Sequence, residues 1–193
     1  MMKRRLKVFV QNLGHDIEDE KAAEQFLDES LPLIGLVVMY FNALEKSLDL
    51  FICDIISDRT EEPGLIVLHG SPYSSKVDLF KRLSESFNGA FSPEAPAYKG
   101  LIDGLLEVGR LRNLVVHADW RSTDEEGYTF VRIKIQDRTL HQEYAQLTSD
   151  ALEKVLTRIV EVNHQLSDYS EQRGNLLSYG HYDTTQLERP EME

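Results

Sequence analysis

Leu101–Trp120 reads LIDGLLEVGRLRNLVVHADW, and the period of its apolar residues decides the fold. An α-helix turns about 100° per residue. With Leu101 at zero, Leu105, Val108, Val115 and Val116 fall within about 60° of it, so the stretch predicts one helix with a broad apolar face. Arg112 falls at about 20°, inside that face. A guanidinium stays charged at ordinary pH and needs a partner when buried. His117 falls near 160°, on another flank with Arg110 and Asn113, and reads as part of the last turn. A cation there meets exposed carbonyls that favour it.

The segments on either side are also helical. Leu31–Asp58 carries Leu33, Val37, Tyr40, Leu44, Leu48, Phe51 and Ile55 at helical spacing. Ser30 is its expected N-cap, with Pro32 tolerated in the first turn. A separate short acidic helix, Glu20–Glu29, precedes it. Ser75–Asn88 predicts another helix, with Val77, Phe80, Leu83 and Phe87 inward. Asn88–Pro96 is read as a loop. The last helix starts at Thr148 or Ser149 and runs to about Glu171, with Glu153 placed for a capping interaction. Leu65–Leu68 is an apolar run that periodicity assigns to neither helix nor strand.

One segment has the other period. Tyr128–Gln136, YTFVRIKIQ, alternates apolar and polar residues and is rich in branched and aromatic ones, which predicts a strand. Its expected partner lies around Trp120 or around Leu140. Residues 1–13 form a short strand or an arm. The expected architecture is mainly α, a helical bundle with a small β-hairpin insertion after the 101–120 helix. Its divisions are an N-terminal arm and short helix (1–30), the bundle (31–172) and a flexible polar tail (173–193).

Composition narrows the function. The chain has 193 residues and a net charge of −12. That argues against a general nucleic-acid-coating surface while leaving room for one local basic site. The single cysteine, Cys53, rules out an internal disulfide, fits a reducing compartment and reads as core. MMKRRLKVFV lacks the long apolar region of a signal peptide, and no run approaches membrane-spanning length. A cytoplasmic protein with no membrane partner is expected. His15, His69, His141, His164 and His181 show no ligand-like spacing, so neither a metal site nor a cofactor is expected.

Arg112-Asn113-Leu114-Val115-Val116-His117 resembles the Arg-x4–6-His motif of HEPN domains (higher eukaryotes and prokaryotes nucleotide-binding). The helical order agrees over roughly residues 31–170, with FNALEKSLDLFI in a long early helix, SSKVDLFKRL in a middle one and the motif ending a late one. The resemblance implies a helical bundle that dimerises through the motif face and cleaves RNA without a metal. Arg112 and His117 would be the catalytic pair, Asn113 the polar residue after the arginine, and Glu45 the acidic support from an early helix. Arg110, Lys99 and Arg121 would form a small basic rim for RNA. The partners implied are a second copy of the chain, RNA, and an antitoxin or nucleotidyltransferase. The chemistry suits these residues: histidine moves protons near neutral pH, and arginine grips a phosphate with two N–H groups. Against this stands a structural Arg112, paired to a carboxylate inside the bundle, with His117 merely ending the helix. A catalytically silent HEPN-like module that binds nucleotide or a partner protein is the functional alternative.

Overall fold

The computed structural model describes residues 2–11, 13, 17–90 and 95–183. They form a mainly helical protein with one small four-stranded antiparallel sheet. The elements in chain order are β1 (Arg4–Val8), α1 (Glu20–Ile56), α2 (Glu62–Leu68), α3 (Tyr73–Ala90), a single 3-10 turn (Pro96–Tyr98), α4 (Leu101–Val116), β2 (Asp119–Thr123), β3 (Tyr128–Gln136), β4 (Thr139–Gln146) and α5 (Ser149–Asp183). Two compact units are distinguished: Met1–Leu44 with Glu107–Val160, and Glu45–Leu106 with Glu161–Glu193.

In the first unit the sheet order is β1-β4-β3-β2. The expected hairpin is thus part of a larger sheet. β3 pairs with both candidate partners, β2 on one side and β4 on the other. Residues 4–8 join as an edge strand along β4, with Arg4 opposite Ala145 and Val8 opposite His141. Asp137 and Arg138 turn β3 into β4 at φ 50° and 62°. Two successive positive φ values give the tight turn whose twist matches its strands. The core holds Val37, Phe41, Leu44, Val108, Val115, Tyr144, Leu147, Leu152 and Ile159. Gly127 turns at φ +80°, and a Cβ there would lie 2.5 Å from the Phe26 ring. Only glycine satisfies both demands.

In the second unit Phe51, Phe80, Tyr98 and Tyr169 pack as an aromatic cluster, with ring centroids 5.1–6.0 Å apart. Cys53 is buried and free, as its apolar setting implied. Burial first, then the carboxylates of Glu61, Asp49 and Asp54, push its thiol up. That suppresses the thiolate a nucleophile needs. α2 resolves the ambiguous 65–68 run as helix, and Gly64 explains how it packs. A Cβ at Gly64 would stand 2.6 Å from both Cα and Sγ of Cys53. Gly64→Ala is expected to cost about 1–3 kcal/mol by overpacking, measured as a lowered urea midpoint. Cys53→Ala should not rescue it, because the backbone contact remains.

Several boundaries differ from those expected. The Glu20–Glu29 and Leu31–Asp58 helices are one, with Pro32 inside it. Asp19 supplies the N-cap instead, its Oδ1 accepting from the backbone N–H groups of Lys21 and Ala22 at 3.1 Å. Ser30, buried, turns its hydroxyl back to the Phe26 carbonyl at 2.8 Å, a bond made inside helices. The tail expected from 173 is helical as far as Asp183, and 184–193 lie outside the described residues. Arg173 packs over the Phe87 ring and Gln172 accepts the Ala97 N–H at 3.1 Å, so polar residues extend α5 by tertiary contacts. Thr148 caps α5, accepting the Ala151 N–H. By length and composition α1 does carry a window apolar enough to cross a membrane, mean hydropathy 1.3, contrary to the expectation that no run approaches that length. Its apolar residues serve partly as core (Val37, Phe41, Leu44) and are partly exposed (Leu31, Leu36, Met39, Tyr40).

Candidate functional site

α4 ends earlier than the 101–120 reading, at Val116. The His117 N–H still bonds to the Asn113 carbonyl at 3.1 Å, but the chain then enters β2. Trp120 belongs to that strand and caps the helix from outside: its indole N–H donates to the Val115 carbonyl at 2.8 Å. A terminal carbonyl that water would otherwise satisfy is thereby closed. The motif therefore sits where a helix hands over to a sheet, and the His117 side chain is exposed there.

Arg112 is half-buried, on the stripe that also holds buried Val108 and Val115. Its Nη1 donates to Asn113 Oδ1 at 3.0 Å, and its guanidinium carbon lies 5.3 Å from the Phe41 ring centre. Its Nε is buried with no acceptor. Among the described residues no carboxylate pairs with it. His117 likewise makes no side-chain hydrogen bond among the described residues. Arg110 and Arg121 are exposed and unpaired in the same sense.

Glu45 is otherwise engaged. In the second unit, the Lys76 ammonium donates to Glu45 Oε1 and Asp49 Oδ2, each at 2.8 Å. Burial alone would lower the Lys76 pKa, yet the hydrogen bonds to Asp49 and Glu45 outweigh it and raise it. Tyr73, buried first and then facing the Glu45 charge, is pushed up, and its hydroxyl donates to the Leu105 carbonyl at 3.1 Å. Glu45, expected as the acidic support from an early helix, is thus a member of a structural triad with Lys76 and Asp49. Lys99 precedes α4 whereas the motif ends it. Lys99 lines a separate cavity of about 250 Å³ with Lys81, Glu85 and Asp103.

The first unit holds a cationic cluster that sequence reasoning missed. Glu143, 1% exposed, accepts from Arg4 Nη1 at 2.6 Å and Lys134 Nζ at 3.0 Å, and from Arg132 Nε. Register explains the convergence. Arg132 lies directly opposite Glu143, while Arg4 and Lys134 lie opposite Ala145 and His141, its diagonal neighbours. Burial alone would raise the Glu143 pKa. The hydrogen bonds from Arg132, Arg4 and Lys134 overcome that and hold it at about 2. Arg4 and Arg132 also line a cavity of about 540 Å³ that Arg110 and Asn113 share. The one signal available was the i, i+2 spacing of Arg132 and Lys134 on a predicted strand.

Among the described residues, no group of three or more His, Cys, Asp or Glu is placed to hold a metal ion. No protein-family model, no curated protein and no solved structure matches this chain.

Proposed function

We propose that the chain is a cytoplasmic, metal-independent endoribonuclease of HEPN type that acts as a homodimer with paired Arg-x4-His motifs. The observation that carries this reading is the state of Arg112. A structural arginine on an apolar helix face is paired to a carboxylate; this one has an amide oxygen, a ring face and a buried N–H with no acceptor. An uncompensated, partly buried cation is costly for the fold and useful for holding an anion.

In the reaction, the 2′-hydroxyl of RNA attacks the adjacent phosphorus and the 5′-oxygen of the next nucleotide leaves. A cyclic 2′,3′-phosphate and a free 5′-hydroxyl result. His117 of one protomer takes the 2′-hydroxyl proton, and His117 of the other protonates the leaving oxygen. Arg112 stabilises the charge growing on the non-bridging oxygens, and Asn113 orients the guanidinium. The single motif histidine of one chain cannot fill both roles at once, so the dimer is part of the mechanism. The exposed Leu31, Leu36, Met39 and Tyr40 on α1 supply apolar surface for such an association.

A second reading, a silent HEPN-like module that binds nucleotide or a partner such as an antitoxin or nucleotidyltransferase, is favoured by one observation. The His117 imidazole has no partner among the described residues to set its tautomer. The test is cleavage of a mixed RNA pool by the purified chain in EDTA, beside His117→Ala. Cleavage by the wild type alone, leaving cyclic phosphate ends, is the expected result. No cleavage by either protein would sink the ribonuclease and leave the binding module.

A further inference from the structure

A buried carboxylate needs one cation to balance it; Glu143 has three. The Arg4, Arg132 and Lys134 side chains remain 46%, 57% and 39% exposed, so their surplus charge faces outward. Arg4 and Arg132 line the cavity of about 540 Å³, and Arg110 adds a third guanidinium with no ion pair among the described residues. The acid on the lining, Glu107, is occupied by Arg158 at 2.8 Å. A chain of net charge −12 thus carries a concave surface that is locally positive.

We propose that this groove, walled by α4 and by β1 and β3, binds the sugar–phosphate backbone of single-stranded RNA through Arg4, Arg110 and Arg132. The naming of the strand as RNA rests on the ribonuclease reading; the anion preference rests on the guanidiniums alone. Guanidinium forks grip phosphate oxygens in pairs. The remaining lining is aliphatic, from Leu111, Leu114 and Val131. Among the described residues of the lining no ring is offered for a base to stack on, so recognition is of backbone and is indifferent to sequence. Asn113 lines the same groove and bonds Arg112, which joins the track for the strand to the motif.

The experiment is fluorescence anisotropy with a labelled 2′-O-methyl oligouridine of about 12 nucleotides, which has no free 2′-hydroxyl and survives a working nuclease. The wild type is expected to bind at low salt and to weaken steeply as salt rises. Arg110→Glu should weaken binding about tenfold or more and reduce the salt slope by about 1. Arg4→Gln, which leaves Arg132 and Lys134 on Glu143, should act in the same direction, with thermal melts confirming that both variants fold. Unchanged affinity and slope in both variants would overturn the groove, as would displacement of the oligomer by inorganic phosphate at equal concentration. Strand binding that Arg110→Glu abolishes, in a protein that never cleaves RNA, would remove the ribonuclease and keep the groove. Cleavage with unaltered binding in both variants would do the reverse.

Discussion

Arg112→Met is expected to lower RNA cleavage by about 10²–10³-fold while leaving the protein as stable as the wild type or more so. The two halves of this result have one cause. Methionine matches the straight stem of arginine and suits the Val108 and Val115 stripe, so it removes an uncompensated charge from a half-buried site. On the ribonuclease reading, the same change removes the group proposed to meet charge on the reacting phosphate. Replacing a buried charge by a packed apolar residue is commonly neutral or stabilising. A structural arginine would give the opposite pattern, a lowered melting temperature with the loss of activity following loss of fold. Arg112→Lys separates charge from shape: it keeps the cation and loses the planar fork, so most of the activity should still be lost. His117→Ala, at an exposed position, should match Arg112→Met in activity and leave the melting temperature unmoved. The measurements are kcat/KM on one RNA and thermal melts. A variant with full activity and a lower melting temperature would end the functional reading of Arg112.

The parts of this molecule legible in the sequence are those fixed by short-range period. The stripe at Leu101, Leu105, Val108 and Val115 is buried as its spacing required, and Tyr128–Gln136 is a strand. Ser30 and Pro32 misled because each is locally ambiguous. A serine before a proline reads as a helix start, yet within a helix the serine hydroxyl can turn back to the preceding turn. Which role it takes depends on the packing around Ala23 and Phe26, not on the two residues themselves. The end of α4 misled for a different reason: the helical reading runs on to Trp120, but that residue belongs to the following strand and its indole caps the helix from there. Glu45 illustrates the limit for the site. Its place on a long early helix was readable, whereas its partner, Lys76, lies 31 positions on and could not be inferred from helical spacing. The Glu143 cluster needs the pairing of β1 with β4 across 139 positions, which no local pattern encodes.

Glu143→Gln is expected to cost about 3–5 kcal/mol of stability, toward the lower end because its three cations can swing into water. Glutamine keeps the shape and hydrogen-bonding oxygen but leaves Arg4, Arg132 and Lys134 with no opposing charge at the sheet. The pH dependence follows from the direction of the shift. The folded pKa of about 2 lies below the ordinary value of 4.5, so the stabilisation is present above about 4.5 and is lost as pH falls toward 2. The gap corresponds to about 3 kcal/mol, the same size as the substitution. Other carboxylates also titrate in that window, so the informative quantity is the difference between wild type and Glu143→Gln. That difference, from urea unfolding at a series of pH values, should be largest above pH 4.5 and vanish near pH 2. A constant difference across the range would mean that glutamine disturbs packing, not charge. The same variant makes the groove beside it more positive by one charge. Where it stays folded, it should hold single-stranded RNA more tightly at low salt, so one residue would trade stability against strand affinity in opposite directions.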